Sequence, residues 1–172
     1  MIRRFFCALT AVFLLGSGAF AQDIGDIIRL HIVAADDSEA AQNLKLELRD
    51  VCLRCADICL ADAPDTDAAY MRLESHLNDF LAACKSRAEQ LGSGEVITAQ
   101  IGRFDFPDRI YGSVLVPAGE YRALRITIGE GSGHNWWCVL YPNLCMIDEV
   151  QAASGKPSPD AVLRWLRSRI GG

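Results

Sequence analysis

The sequence predicts an α+β fold, a small mixed or antiparallel sheet with a helical hairpin packed on one face and a short C-terminal helix. Three observations predict it. An alternating strand pattern lies near the start, two long stretches with helical spacing of apolar residues follow, and after Gly92-Ser93-Gly94 the composition turns β-like. Helices packed on one face of a small sheet are the natural solution for this order of elements.

The first 21 residues have the three parts of a secretory signal peptide. Arg3 and Arg4 form a positive start, an apolar run covers residues 5–15, and Ala19-Phe20-Ala21 offers small residues at the positions that a signal peptidase reads. The apolar run is shorter than the roughly 20 residues that a membrane-spanning helix needs. We therefore expect export with cleavage after Ala21, in preference to retention by a membrane anchor.

Length, charge and cysteine content limit the number of domains, the kind of partner and the compartment of the remaining chain. Residues 22–150 suit a single domain, and residues 151–172 suit a linker with a short amphipathic helix. The 172 residues carry 17 basic and 22 acidic side chains, a formal net charge of −5. This acidic balance argues against nucleic acid as a partner. All cysteines except Cys7 follow the leader, in a compartment where disulfides are chemically allowed.

The first strand is predicted from the alternation in IIRLHIVA, residues 27–34. Arg29 and His31 fall on one face, and the other face carries only apolar residues: Ile28, Leu30, Ile32 and Ala34. This pattern is typical of a strand with one buried face and one polar face.

Two helices are predicted after this strand. Asp36, Asp37 and Ser38 supply capping chemistry for a helix from about Glu39 to Leu60. Ala63-Pro64-Asp65-Thr66 breaks the pattern, and a second helix is expected over about residues 67–91.

Three further strands are predicted, at residues 95–101, 111–116 and 121–128. Pro117-Ala118-Gly119 suits a short turn, so the last two strands are expected to form a hairpin. The short C-terminal helix begins at a Ser158 cap, with proline at its first helical position, and reaches Ile170.

Four thiols on the predicted helices raise the alternative of a metal or iron–sulfur site. They are Cys52, Cys55, Cys59 and Cys84. The first three share the apolar stripe of their helix, where cysteine behaves as a small buried residue. In a helical hairpin centred near residue 64, Cys84 would lie opposite Leu44 and out of register with Cys52. We therefore favour core cysteines over a metal site and expect no cofactor.

Residues 129–145, GEGSGHNWWCVLYPNLC, are dense in residues that catalyse and in residues that bind. His134, Asn135 and Cys138, with Glu130 nearby, are the residue types of a thiol hydrolase. Adjacent loop residues seldom supply both base and nucleophile, because these usually come from separate parts of the chain. The glycines do not match the G-x-G-x-x-G pattern of a phosphate-binding loop, and a sharp turn explains them better.

Trp136 and Trp137 are good anchors for a protein partner, since large aromatic side chains carry much of the energy of interfaces. Adjacent residues of an extended segment point in opposite directions, so one tryptophan can belong to the core and the other to a contact. Cys138 and Cys145 enclose a short apolar stretch turned by Pro142, and such a loop can bring two cysteines within disulfide distance. Two reduced, buried thiols are the alternative.

The chain resembles the stage II sporulation protein R family from Arg29 to about Asp148. The strings that carry the resemblance follow one another along the chain: Arg29-x-His31-Ile32-x-Ala34; Asp37-Ser38 with Gln42, Leu44-Lys45 and Arg49-Asp50; Phe106-Pro107 with Tyr111-Gly112; Pro117-Ala118-Gly119-x-Tyr121-x-Ala123; and Gly131-x-Gly133-x-Asn135-Trp136-Trp137-Cys138-Val139. The chain departs from the family pattern at Ala35, Tyr141 and Asn143, and none of these belongs to the Asn-Trp-Trp-Cys string.

The resemblance implies a signalling protein rather than an enzyme. It implies that the protein is made in the forespore and exported into the space between forespore and mother cell. There, beside the membrane but not spanning it, the protein would activate a membrane-embedded aspartic protease that cleaves a sigma-factor precursor. No catalytic residue and no metal are expected, and the partner-binding residues are expected on one exposed surface: Arg29, His31, Asn135, Trp136 and Trp137. The alternative is a secreted thiol-dependent hydrolase acting on cell wall or peptide.

Overall fold

A computed structural model describes residues 26–111 and 114–142 and confirms the α+β class. The described elements are β1 (Ile28–Val33), α1 (Glu39–Leu60), α2 (Thr66–Ser75), α3 (Leu77–Gln90), β2 (Ile97–Phe106), β3 (Arg109–Tyr111), β4 (Val114–Val116), β5 (Gly119–Ile128) and β6 (Asn135–Tyr141). The predicted leader with its cleavage site, Cys145, the linker and the C-terminal helix lie outside the described residues.

The main sheet is mixed and has the strand order β2-β5-β1-β6. β1 runs parallel to β5 and antiparallel to β6, and β5 runs antiparallel to β2. All six residues of β1 are buried. The expectation that Arg29 and His31 belong to an exposed surface is therefore wrong: their side chains are 0% and 9% exposed. β1 is an interior strand, and its polar face is covered by aromatic side chains from other strands.

The helix α1 has the predicted bounds, and the Ser38 hydroxyl caps it by accepting a hydrogen bond from the Ala41 N–H at 3.2 Å. The predicted second helix is in fact two helices, α2 and α3, separated at His76. At this break the Arg72 carbonyl oxygen accepts hydrogen bonds from the His76 N–H (3.0 Å) and the Ser75 hydroxyl (2.9 Å). Such local side-chain bonds compete with continuation of a helix.

The predicted register of the helical hairpin is wrong. Cys84 on α3 lies against Cys52 on α1, with 3.6 Å between the two Sγ atoms. The Arg87 side chain donates to Glu47 at 2.7 Å in the same antiparallel pair. α3 is the main partner of α1, and α2 is part of the connection, so the hairpin is centred several residues later than residue 64.

The helix cysteines occupy the core, as the stripe predicted. Cys52 and Cys84 are fully buried, and Cys55 and Cys59 are partly buried against the same apolar cluster. All four are free thiols. Within the described ranges, the structure contains no group of three or more cysteine, histidine or acidic side chains placed to hold a metal ion.

The hairpin predicted between residues 111–116 and 121–128 is also wrong. β5 pairs over its full length with β2, from Ile97 opposite Ile128 to Phe106 opposite Gly119. β3 and β4 continue this pairing in the same register as a separate two-stranded ribbon. Pro107 and Pro117 lie at the interruption, where a residue without an N–H cannot donate to the ladder. Residues 97–111 and 114–128 thus pair in one continuous register, with the ribbon at the end farther from Ile97 and Ile128.

Candidate partner-binding site

The residues Asn135 to Tyr141 form the edge strand β6. The sharp turn predicted from the glycines precedes this strand, and Gly129 and Gly131 have positive φ values there. The helices pack on one side of the main sheet. We call the opposite side the open face, although aromatic side chains and the ribbon strand β3 cover part of it. Trp136 is on the helix side, packed against the core, with the Arg49 guanidinium 4.7 Å from its ring centre. Trp137 pairs with His31 and is on the open face. The prediction that the two rings point in opposite directions is confirmed.

Trp137 is held between two side chains on the open face. Its ring stacks on the His31 ring, with centroids 5.7 Å apart and planes inclined by 22°. The guanidinium of Arg109, from the ribbon strand β3, is 4.4 Å from the centre of the Trp137 ring. Trp137 remains half-buried, so part of the ring is accessible from solvent in a fixed orientation.

His31 is neutral in this arrangement. Its Nε2 lies 2.8 Å from the Asn135 Oδ1, whereas its Nδ1 is buried without a hydrogen-bond partner. Burial is the main cause that lowers the pKa of His31, and the nearby charges of Arg125 and Arg29 lower it further. The neutral ring with its proton on Nε2 donates to Asn135, and this bond connects β1 to the start of β6.

Arg29 is a buried cation enclosed by aromatic rings. Its guanidinium lies 4.1 Å from the centre of the Phe106 ring and 5.2 Å from that of Tyr121. Nη2 donates to the Tyr111 hydroxyl at 3.0 Å, while Nε and Nη1 are buried without hydrogen-bond partners. Burial lowers the pKa of Arg29, and cation–π contacts offset part of the cost of its desolvation.

The loop before β6 packs on the loop that follows β1. The Gly133 N–H donates to the Ala34 carbonyl at 3.1 Å, and a Cβ atom on Gly133 would meet the Asp36 carbonyl oxygen at 2.1 Å. Only glycine permits this approach of two backbones. The His134 N–H donates to the Asp37 carboxylate at 2.6 Å, and this bond is the main cause that lowers the pKa of Asp37.

Lys45 connects helix α1 to the same loop. Its Nζ donates to the Gln42 Oε1 at 2.5 Å and to the His134 carbonyl oxygen at 3.0 Å. The side chain is buried, and this burial lowers the pKa of Lys45. The start of β6 is therefore fixed by α1 as well as by β1.

Residues from separate parts of the sequence pattern that resembles the family contact one another in the fold. Arg29 contacts Phe106, Tyr111 and Tyr121, which come from three different strands. Arg49 of α1 covers Trp136. Two residues at the open face were missed by the sequence analysis, Arg109 and Arg125. The alternation of side chains along β3 and β5 could have placed Arg109 and Arg125 on this face. That interpretation requires the register between β2 and β5, which the sequence did not predict.

The thiol-hydrolase constellation is not assembled. The His134 side chain is 77% exposed and its Nδ1 lies 2.5 Å from the Asp37 carboxylate. Cys138 is 1% exposed and belongs to the apolar core. Four residues of extended strand separate the two Cα atoms by about 13 Å. Cys138 is also disulfide-bonded, and a sulfur in a disulfide is not available as a thiolate nucleophile.

A family model described as stage II sporulation protein R matches residues 24–151. A curated relative, stage II sporulation protein R of Bacillus subtilis (strain 168), is 36% identical over 133 residues. The match covers 77% of this chain and 59% of the relative, so the chain spans well under two thirds of the length of that protein. No solved structure matches significantly. The family model covers most of the chain, and the chain therefore belongs to the stage II sporulation protein R family.

Proposed function

We propose that this protein is a secreted intercellular signalling protein of sporulation, acting between forespore and mother cell. It activates a membrane-embedded aspartic protease, and that protease processes a mother-cell sigma-factor precursor. Membership of the family supports the role in sporulation. The predicted signal peptide supports the export. Among the described residues, no helix is long and apolar enough to cross a membrane.

The observation that carries the docking proposal is the setting of Trp137. A half-buried tryptophan on a sheet, stacked on His31 and covered on one side by Arg109, presents a large ring whose conformation is already fixed. A rigid aromatic ring loses little conformational entropy on binding, and such residues dominate the energy of protein interfaces. Trp137 and Asn135 are therefore assigned to the contact with the protease.

The other three residues expected at the contact receive supporting roles. His31 lies beneath Trp137 and accounts for the orientation of both Trp137 and Asn135. Arg29 holds the end of the ribbon through Tyr111, whose hydroxyl also donates to the Trp137 carbonyl oxygen at 3.2 Å. Trp136 anchors β6 on the helix side. These three residues position the docking surface from within the fold.

The position of Cys138 argues against the thiol-hydrolase alternative. Cys138 is in the core, on the side of β6 opposite to Trp137, and we propose that it forms a disulfide with Cys145. A Cys138→Ser variant should then be less stable and, as far as it folds, should still activate the protease. A folded variant with no activity whatever would favour a nucleophilic cysteine instead.

The proposal is tested by co-expression of three proteins: the full chain with its leader, the candidate membrane protease and the sigma-factor precursor. Processing is followed as the decrease in size of the precursor. We expect processing only when the full chain and the protease are both present. Processing that is unaffected by omission of this chain would contradict the proposed function.

A further inference from the structure

The open face has a charge opposite to that of the protein. The chain as a whole carries a formal net charge of −5. The strand pairing nevertheless places Gln100, Arg125, His31 and Trp137 in one row across the four strands of the sheet. Arg109 covers the end of that row at Trp137. No strand residue that pairs onto the open face of the main sheet in the described ranges is acidic.

Arginines on the two sides of the sheet differ in whether they form ion pairs. On the helix side, Arg103 forms an ion pair with Glu120 at 2.7 Å, and Arg122 forms ion pairs with Asp67 and Asp26. On the open side, Arg109 and Arg125 have no carboxylate partner within the described residues. The Arg109 guanidinium donates to the Asp108 carbonyl oxygen at 3.4 Å.

Arg125 is similarly unsatisfied. Its guanidinium lies 5.6 Å from the centre of the Phe104 ring, and its Nε is buried without a hydrogen-bond partner. A guanidinium without a carboxylate partner, beside the half-buried rings of Phe104 and Trp137, is a site that a carboxylate can complete through a charge-assisted, bidentate hydrogen bond.

We propose that the open face binds an acidic segment of a partner protein, with carboxylates on Arg109 and Arg125 and apolar contact on Trp137. The inference rests on the proposed function in taking this partner to be the protease. Arg125 and Trp137 are two strands apart, about 10 Å between backbones. Two carboxylates two residues apart in an extended segment are on the same side and about 7 Å apart, and the long glutamate and arginine side chains can bridge the remaining distance. A polypeptide therefore fits the row, and the aromatic rings favour it over a small free anion.

The first test uses a defined probe, a fluorescein-labelled peptide of alternating glutamate and tyrosine, with a lysine–tyrosine peptide as the reference. Fluorescence anisotropy of the purified mature protein should show binding of the acidic peptide that weakens as salt is added. The double variant Arg109→Gln, Arg125→Gln should weaken that binding at least about tenfold.

The matched control is the double variant Arg54→Gln, Arg103→Gln. It makes the same change of charge at two exposed arginines that are not on the open face. The control should bind the acidic peptide like the wild type. Equal loss in both double variants, or equal binding of the acidic and basic peptides, would overturn the inference.

The second test places the same variants in the processing assay. The open-face double variant should lose at least about tenfold in processing, whereas the control keeps it. Normal processing by the open-face variant would overturn the inference and leave the proposed function standing. Absence of processing with the wild-type chain would instead count against the proposed function, and the peptide measurement would then decide the inference alone.

Discussion

His31 and Trp137 stack on one another across the β1–β6 pair, with ring centroids 5.7 Å apart and planes inclined by 22°. The stack lies on the side of the sheet opposite to the helices, and His31 also bonds to Asn135 at 2.8 Å. One buried side chain thus sets the conformation of both residues assigned to the partner contact. Because burial lowers the pKa of His31, protonation of His31 at acidic pH would oppose this arrangement.

The first prediction concerns the dependence of stability on pH. The folded protein lowers the pKa of His31, whereas the unfolded chain keeps the ordinary value near 6.5. Below pH 6.5 the unfolded chain therefore binds a proton that the folded protein does not. As the pH is lowered from 6.5, the free energy of unfolding decreases until the pKa of folded His31 is reached. Above pH 6.5 this contribution is fully present. Asp36 and Asp37, whose ordinary pKa is 3.8, titrate well below this window.

Urea unfolding at pH 7.5 and pH 5.5 measures the effect. The wild type should lose stability over this interval on account of His31, because the unfolded chain takes up more protons there than the folded protein does. The variant His31→Gln retains a donor for Asn135 but cannot titrate, so it should lose less. An identical loss in the two proteins would show that His31 does not carry the dependence.

The second prediction separates the two tryptophans by stability. Trp136 packs against the core, so Trp136→Ala should lower the free energy of unfolding by about 2 kcal/mol or more. Trp137 is half-buried on the open face and does not pack against the core cluster, so Trp137→Ala should cost about 1 kcal/mol or less. Urea titrations at pH 7.5 compare them directly. Equal destabilisation would contradict the assignment of the rings to opposite sides of the sheet.

The third prediction concerns the contact between the two loops. Gly133→Ala places a Cβ atom 2.1 Å from the Asp36 carbonyl oxygen, so backbone must move, and we expect a loss of about 2–3 kcal/mol in the free energy of unfolding. Gly94→Ala is the control, because a Cβ there meets nothing within 4 Å. A neutral Gly133→Ala variant in the same thermal or urea assay would refute the close approach.

The fourth prediction concerns the cysteines. Alkylation of the unfolded, unreduced mature protein should modify the four helix thiols, which are free in the folded chain. Cys138 and Cys145 should escape modification, and mass spectrometry should find their peptides linked. Modification of both would mean that the core thiol at Cys138 is reduced and that the predicted disulfide is wrong.

The sequence predicted best what is decided locally. The bounds of α1 follow from a cap at Ser38 and a continuous apolar stripe. The opposite directions of Trp136 and Trp137 follow from the geometry of any extended strand.

What failed depends on partners that are distant along the chain. The turn at Pro117 suggested a hairpin between neighbouring strands. Instead β5 pairs with all ten residues of β2, which gives a longer hydrogen-bonded ladder. Alternation placed Arg29 on a polar face and could not show that Phe106, Tyr111 and Tyr121 enclose it. The contact between Cys52 and Cys84 could not be predicted without knowing that the helix breaks at His76, and the continuous helical pattern of the sequence does not show this break.

The most direct test of the docking surface is sigma-factor processing by the Trp137→Ala variant in cells that co-express the protease and the precursor. Truncation of an interface aromatic typically costs about 2 kcal/mol or more in binding. Processing should therefore be lost, although the variant is secreted and unfolds at nearly the wild-type urea concentration. His134→Ala, which alters only an exposed side chain bonded to Asp37, should process normally. Normal processing by Trp137→Ala, or its loss in a folded His134→Ala variant, would contradict the assignment of the open face as the docking surface.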